Sequence, residues 1–392
     1  MTATLLHGIS ELVTNDPAVG AAPLGLIGDA ALIMQDGRVV WVGPARSAPS
    51  ADQAVDLGGR AVLPGWVDSH SHVVYAGDRS AEFAARMAGQ PYRAGGMRTT
   101  IEATRAADDQ ALLATARRHR AEMLLGGTTC AETKTGYGLT VPDERRAALT
   151  AAAAGFDEIT FLGAHVVPAE YAKDPDGYVD LVCGPMLDAV ESAVRWVDVF
   201  CEDGAFDEAQ SRRVLAAGQG KGLGLRVHGN QLGFGPGVRI AVDLGAASVD
   251  HCTHLTAADI DALATSSTVA TLLPACDLST RQPAAPGRAL LEAGARVALA
   301  SNCNPGSSYT SSMNLVVALA VLQCEMSTAE AVFAATAGGA ASLRRDDVGH
   351  LAPGARADIH VLDAPSHAYL AYRVGMPLTH RVFRHGLDAR GS

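Results

Sequence analysis

A regular alternation of apolar strands and helical segments constrains the fold of this 392-residue chain more than any other feature. Segments with helical spacing, such as DDQALLATARRHRAEMLLG and DEAQSRRVLAAGQGKG, separate most of the strands. Parallel strands joined by crossover helices produce this order. The apolar runs are GWVDSHSHVV, TTCAETKT, EITFLGAHVV, VDVFCE, GLRVHG, SVDHCTHL, TVATLLPA and RVALASN. Eight such units predict a closed (β/α)8 barrel, the TIM-barrel fold.

Both ends of the chain are β-rich instead. ALIMQDGRVVWVG predicts a hairpin that turns at Asp36 and Gly37, and ADIHVLDAPS and THRVFRHG predict short strands near the C-terminus. We therefore expect an α/β protein with two units. Residues 1–64 and 345–392 are predicted to pair into a small β-sandwich domain, and residues 65–344 to form the barrel.

Composition and charge argue against several classes of protein. With 48% hydrophobic and 19% charged residues, the chain is too apolar to be disordered, and a net charge of −11 argues against a nucleic-acid partner. Seven scattered cysteines without a CxxC pair predict free thiols in a reducing compartment. Because neither a signal-like N-terminus nor a membrane-length apolar run occurs, we expect a cytoplasmic protein without a membrane partner.

His70 and His72 are the first candidates for chemistry. They stand two residues apart on a predicted strand, so both imidazoles point to the same side and could bind one metal ion. An HxH pair alone is a weak signal, and two unrelated histidines on a half-buried strand are the simpler interpretation. The context favours a metal site, because Asp68 precedes the pair and further histidines end later strands.

Those further histidines end three other predicted strands, and they are His165, His228, His251 and His254. A lone histidine on an apolar strand is usually a hydrogen-bonded core residue, but active sites of such barrels lie where the strands end. His228 is the best third ligand, because it ends a clean apolar strand before a glycine-rich loop. Three histidines predict a catalytic site for a divalent metal, for which Zn, Fe and Mn stay open.

The run LPGWVDSHSHVVYAGDRSAEFAARM resembles the amidohydrolase superfamily and, within it, the imidazolonepropionases. TKTGYGL, FLGAHVVP, VDVFCEDGAF, VDHCTHL and NPGSS are similar to segments of that family in the same order, and GHLAPGARADIHVLDAPS extends the similarity to the C-terminal strands. The resemblance implies one divalent metal per chain, Zn or Fe. It also implies hydrolytic opening of 4-imidazolone-5-propanoate to N-formimino-glutamate, a step of histidine degradation.

The resemblance also assigns roles to individual residues. His70, His72 and His228 match metal ligands. His251 matches a catalytic histidine near the reacting carbonyl, able to donate a proton or stabilise an oxyanion. A structural role is a serious alternative for His254.

Substrate-binding residues follow from the same match. Arg79 matches the arginine that holds the substrate, and its planar guanidinium suits a bidentate grip on a carboxylate. Without the resemblance, a surface salt bridge with Asp78 or Glu82 is the simpler interpretation of Arg79. The other matching substrate contacts are Tyr137, His165, Asn304, Gly306 and Ser307.

Two positions depart from the family pattern. Asn302 stands where the family has an aspartate that contacts the metal and accepts a proton from its water, and Gln231 stands where a glutamate is common. An amide offers a neutral oxygen but is no useful base near neutral pH. We keep Asn302 as a candidate metal contact and catalytic position, and Gln231 as a candidate catalytic and substrate-binding residue.

Three interpretations remain open for this pattern. Asn302 could be an engineered substitution in an ordinary imidazolonepropionase, or mark a diverged relative that acts on another cyclic amide or imidazolone. It could also mark a hydrolysis-impaired protein that binds such a ligand. In each case the expected partner is a small cyclic amide that bears a carboxylate, and the family resemblance implies a homodimer.

Overall fold

The computed structural model describes residues 2–89 and 96–390 and begins with four strands. They are β1 (Thr4–Val13), β2 (Leu26–Gln35), β3 (Arg38–Pro44) and β4 (Gln53–Pro64), with a 3₁₀ turn at Ala45–Ser47. Strands β2 and β3 pair antiparallel, and Asp36 and Gly37 between them have φ of 52° and 74°. Two consecutive left-handed residues match the twist of a tight hairpin, so the predicted hairpin is confirmed.

Eight parallel strands follow and pair in chain order. They are β5 (Trp66–Asp68), β6 (Thr128–Lys134), β7 (Glu158–Ala164), β8 (Trp196–Cys201), β9 (Gly224–Gly229), β10 (Ser248–His251), β11 (Val269–Leu272) and β12 (Val297–Leu299). The first and last strands meet just beyond their ends, where the amide of Asn302 donates to the carbonyl of His70 (2.9 Å) and that of His72 to Cys303 (2.8 Å). The predicted (β/α)8 barrel is confirmed with all eight predicted strands.

Helices occupy the connections between the barrel strands and also follow the last of these strands. They are α1 (Ser80–Met87), α2 (Met97–Ala106), α3 (Asp109–Leu125), α4 (Val141–Ala153), α5 (Pro175–Leu181), α6 (Leu187–Val190), α7 (Glu208–Gly220), α8 (Gly237–Asp243), α9 (Ala257–Ala264), α10 (Pro274–Thr280), α11 (Gly287–Glu292), α12 (Met313–Gln323), α13 (Thr328–Phe333), α14 (Gly339–Ser342) and α15 (Tyr369–Tyr372). A 3₁₀ turn at Ala169–Tyr171 and π-helical turns at Val182–Met186 and Ala334–Gly338 complete them. The two helices predicted from periodicity are α3 and α7, and the side chains of Asp108 and Asp207 cap their first turns.

The C-terminal strands return to the N-terminal ones. They are β13 (Ile359–Leu362), β14 (Thr379–Arg384) and β15 (Leu387–Asp388). Strand β13 pairs antiparallel with β4, and the seven terminal strands form one sheet with an apolar core of its own. The small β domain built from both termini is therefore confirmed, while its boundaries at residues 64 and 345 stay a prediction.

The barrel strands are buried on both faces. Every residue of β6, β7 and β8 is buried, as expected for parallel strands covered by helices outside and packed side chains inside. All seven cysteines are free thiols. Among the described residues, no helix combines the length and the apolar character that a membrane crossing requires.

Asp277 in the first turn of α10 couples the stability of the fold to pH. Burial raises the pKa of this carboxyl from 3.8 to about 7, against hydrogen bonds from Thr253 Oγ1 and the amide of Ala285. Because the folded pKa exceeds the unfolded one, the unfolded chain loses its proton first, and stability falls as pH rises from about 4 to about 7.

We predict that Asp277→Asn reduces the loss of unfolding free energy between pH 5 and pH 8 by on the order of 2 kcal/mol relative to the unmodified chain, because an amide does not ionise. Urea unfolding at the two pH values measures this difference. Asp29→Asn, at an exposed position, is the control and should follow the unmodified chain. An equal pH dependence in the Asp277 variant would contradict the prediction.

Candidate active site

Four histidines meet at the carboxyl ends of three barrel strands. His70 and His72 follow β5, His228 lies in β9, and His251 ends β10. The Nε2 atom of His72 lies 3.1 Å from that of His70 and 3.3 Å from that of His228. One nitrogen from each of His70, His228 and His251 lies within 4.8 Å of the other two. The structure thus brings together the histidines that the sequence predicted.

Buried aspartates hold the far side of two of these rings. His70 Nδ1 lies 2.7 Å from Asp250 Oδ2, and His228 Nδ1 lies 3.0 Å from Asp198 Oδ2. An ionised carboxylate only accepts hydrogen bonds, so it keeps the proton of a neutral imidazole on Nδ1. The Nε2 atoms of His70 and His228 consequently carry lone pairs that face inward, the arrangement common for metal-binding histidines.

These lone pairs fit a divalent metal ion. Two imidazole nitrogens bound to one tetrahedral ion at 2.0–2.1 Å lie about 3.3 Å apart, close to the separations seen here. Burial lowers the pKa of His70, His72 and His251 well below the usual value, so these rings are in the neutral form that metals require. Among the described residues, Nδ1 of His72 and Nδ1 of His251 have no hydrogen-bond partner, and the contact of His228 Nδ1 with Asp198 is an ion-pair distance without hydrogen-bond geometry.

A buried lysine connects the two aspartates. Lys134 Nζ lies 2.9 Å from Asp198 Oδ2, 2.9 Å from Glu132 Oε1 and 3.8 Å from Asp250 Oδ2, and all four side chains are fully buried. Burial opposes the charge of Lys134, yet the carboxylates of Asp198 and Glu132 raise its pKa above the usual value. The ammonium therefore stays charged and neutralises the carboxylates behind the histidines.

A second buried cation, Arg226, pairs with Asp250. Arg226 Nη2 lies 3.1 Å from Asp250 Oδ2, and the same guanidinium donates to the carbonyls of Ser69 and Ser342 at 2.8 Å. Although burial disfavours the charge of Asp250, Arg226 and His70 hold the pKa of that carboxyl well below its usual value. Asp250 is consequently an anion that accepts from His70 across the whole physiological pH range.

The predicted site residues share one small cavity of about 30 Å³. The cavity is lined by Arg79, Tyr137, His165, Gln231, Asn304 and Ser307 together with His72, His228, His251 and Asn302. His70 lies behind this wall, and Gly306 contacts the guanidinium of Arg79 from the neighbouring side. His254 lies outside it, with Nε2 3.3 Å from Gln282 Oε1, which agrees with a structural role.

His251 and His165 have unusual surroundings in this cavity. The backbone of His251 has φ of 87°, a conformation that residues with a Cβ rarely adopt and that the surrounding structure has to enforce. His165 Nδ1 lies 2.9 Å from the carbonyl of Gly136, and burial lowers the pKa of His165 to about 3. Both rings are therefore neutral and fixed in orientation, which suits hydrogen bonding to a polar ligand.

The two family departures lie in the cavity wall as amides. Asn302 has φ of 50°, a left-handed conformation that asparagine and aspartate tolerate better than most residues, and its carbonyl accepts from Asn304 Nδ2 at 2.7 Å. The backbone amide of Gln231 donates to Glu202, and Gln231 Nε2 lies 3.7 Å from Cys276 Sγ. Neither position supplies a carboxylate to the cavity.

Several functional neighbours escaped the sequence reasoning. Met97 and Phe200 line the cavity, while Asp198, Asp250 and Lys134 lie behind the histidines. The signal that could have found the last three is a charged residue inside an apolar strand, since VDVFCE, SVDH and TKT each contain one. A charge that interrupts a fully buried strand needs a buried partner.

Comparisons with known proteins show the family of the chain. Residues 208–383 match the amidohydrolase family. The chain is 65% identical to an imidazolonepropionase from Saccharopolyspora erythraea, with all of both chains covered, and 62% identical to one from Salinispora arenicola, with 99% of each covered.

Solved structures share the fold at low sequence identity. A zinc complex of an atrazine chlorohydrolase from Arthrobacter aurescens is 19% identical with a TM-score of 0.73, covering 98% of this chain and 94% of that one. An adenosine deaminase from Xanthomonas campestris with bound zinc is 20% identical with a TM-score of 0.73, covering 98% of this chain and 92% of that one. The overall architecture is thus that of known barrel hydrolases.

The parallel barrel, the histidines at its strand ends and the family match define an enzyme of the amidohydrolase class. Given 65% identity to a curated imidazolonepropionase along the whole chain, the protein belongs to the imidazolonepropionase family. The family expected from the sequence is confirmed.

We predict that Lys134→Met lowers the free energy of unfolding by about 3–5 kcal/mol, because it leaves buried carboxylates without their cation. It should also weaken metal binding, since Asp198 beside His228 then loses its cation, whereas Asp250 keeps Arg226. Chemical unfolding and chelator competition measure the two effects. Lys173→Met, at an exposed position, is the control and should change neither. Unchanged stability in the Lys134 variant would contradict the role of this lysine.

Proposed function

We propose that this protein opens the imidazolone ring of 4-imidazolone-5-propanoate by hydrolysis and releases N-formimino-glutamate, a step of histidine degradation. The observation that carries the proposal is the identity of 65% over the full length to a curated imidazolonepropionase. The shared cavity of histidines and Arg79 supports it, because a ring with a carboxylate tail needs donors for both parts.

A divalent metal, zinc or iron, is the proposed cofactor, held by His70, His72 and His228 with Asn302 as a further neutral contact. When bound, such a metal supplies Lewis acidity towards the ring carbonyl and towards water. Imidazole nitrogens suit zinc and iron alike, so elemental analysis of the purified protein decides between them.

The protein's own residues bind and orient the ring. Arg79 binds the propanoate carboxylate through its guanidinium. Tyr137, His165 and Gln231 contact the ring, and the loop of Asn304, Gly306 and Ser307 closes over the tail.

Proton transfer in the proposed reaction falls to His251. The oxygen of water bonds to the ring carbonyl carbon, and the bond from that carbon to the ring nitrogen breaks. His251 is a buried neutral imidazole, so one of its nitrogens accepts the proton of the attacking water. The proton then passes to the departing nitrogen.

A hydrolysis-impaired, ligand-binding form is the second candidate. The specific observation in its favour is the amide at position 302, together with Gln231, in the wall of the cavity. An amide in place of a carboxylate removes a base and a negative charge from the site. A diverged relative acting on another cyclic amide would show ring opening only with that other substrate.

We also propose that the protein is a homodimer in the cytoplasm and that its only partner is a small molecule. Size-exclusion chromatography with light scattering tests the oligomeric state.

We predict that the metal-loaded protein hydrolyses imidazolone propanoate and that Asn302→Asp raises kcat/KM on the order of 10²–10⁴-fold, the usual contribution of a general base. Loss of the imidazolone ultraviolet absorbance follows the reaction. Asn314→Asp is the control, because Asn314 does not line the cavity and its side-chain oxygen accepts from Trp66 Nε1, so the variant should leave the rate unchanged. Full metal loading without turnover of any cyclic amide, in both the unmodified chain and the Asn302 variant, would refute the hydrolase.

A further inference from the structure

Arg79 is already paired with a carboxylate of its own chain. Its Nε atom donates to Glu82 Oε2 at 2.8 Å, and its Nη2 atom donates to Glu82 Oε1 at 2.7 Å. This bidentate pair uses one of the two edges of the guanidinium that fit a carboxylate. The side chain of Arg79 is 4% exposed, whereas that of Glu82, in the first turn of α1, is 31% exposed.

Two glycines lie directly against the pair and leave the space that it occupies. A Cβ atom on Gly306 would lie 2.2 Å from Arg79 Nη1, and one on Gly96 would lie 2.0 Å from Glu82 Oε2. Both positions therefore exclude side chains while this pair is formed. The guanidinium is thus held flat against the backbone of the 304–308 loop, next to the histidine cavity.

Arg79 also lies between two cavities. It lines the small histidine cavity of about 30 Å³ and a neighbouring cavity of about 480 Å³ that Phe83 and Tyr309 also line. The small cavity holds about one water molecule. A carboxylate ligand that comes through the larger cavity consequently meets an arginine that Glu82 has already neutralised.

The charges make Glu82 a competitor of an anionic ligand. A buried guanidinium without a counter-charge is costly, and Glu82 removes that cost in the ligand-free protein. When a second carboxylate approaches the same guanidinium, the two anions repel each other, and partial exposure of Glu82 reduces this repulsion without abolishing it.

We propose that Glu82 is a specificity-determining residue of the carboxylate subsite, an internal counter-carboxylate that weakens the hold of Arg79 on anionic ligands. This inference rests on the proposed function, in which Arg79 takes the propanoate. Hydrolysis of the ring adds a second carboxylate to the ligand. Glu82 therefore repels the product more strongly than the substrate and favours its release.

Calorimetric binding of two stable probes tests this inference. The probes are imidazole-4-propanoate and its uncharged propanamide, neither of which has an imidazolone ring to open. Glu82→Gln keeps a hydrogen bond to Arg79 and removes the charge, so it should bind the propanoate about 10-fold more tightly. Propanamide affinity should stay within twofold. Glu82→Ala should shift propanoate affinity in the same direction.

Glu102→Gln is the matched control. Glu102 pairs with Arg98 on α2, both are well exposed, and the substitution changes the net charge by the same amount. It should leave both affinities unchanged. Unchanged or weaker propanoate binding by both Glu82 variants would overturn the proposal, as would equal tightening of the propanamide.

Failure of the proposed function gives a different result. If Arg79→Gln binds the propanoate as well as the unmodified chain does, Arg79 does not hold the carboxylate and the subsite itself is refuted. Absence of ring opening, by contrast, leaves these binding measurements unaffected, because neither probe is hydrolysed.

Discussion

Contacts between buried aspartates and histidines determine the chemistry available at the carboxyl ends of the barrel strands. Asp250 and Asp198 face the Nδ1 atoms of His70 and His228 and so turn both Nε2 lone pairs towards one point. The aspartates remain anionic because cations lie beside them, Arg226 beside Asp250 and Lys134 beside Asp198. A set of histidine nitrogens that fits a metal ion is therefore built into the barrel interior, and the strands that carry these charges also form the core.

Much of the fold could be predicted from the sequence because it follows from periodicity and turn chemistry. The eight apolar runs alternate with helical segments, and the Asp36–Gly37 turn identifies a hairpin directly. The sequence predicted that the two termini pair. It did not predict that their strands form one continuous sheet, since pairing between distant strands leaves no local pattern.

The site was predictable in part for the same reason. Strand-end histidines can be read from the chain, and the structure gathers them in one place. The charges behind them are visible as charged residues inside apolar strands, but their pairing could not be predicted, because the partner of a buried charge lies on another strand and its distance is a property of the closed barrel. The pair between Arg79 and Glu82 shows the same limit: the sequence suggested the contact, but neither its burial nor its position beside the histidine cavity.

In the proposed site, Asn302 removes a candidate base while the candidate substrate-binding residues are retained. Its left-handed backbone accommodates asparagine and aspartate equally, so the fold does not distinguish them, whereas the chemistry does. The residues that would contact the substrate ring and tail, Tyr137 and Arg79 among them, line the same cavity as this amide. In the proposed reaction, substrate recognition and water activation therefore fall to different residues of one small cavity.

X-ray absorption spectroscopy of the metal-loaded protein tests the central claim most directly. If the aspartate-supported histidines form the metal site, the spectrum will show imidazole scattering from at least three histidines, with nitrogens at about 2.0–2.1 Å from a zinc ion. A metal surrounded only by oxygen ligands, or lost on dialysis without a chelator, would contradict the claim.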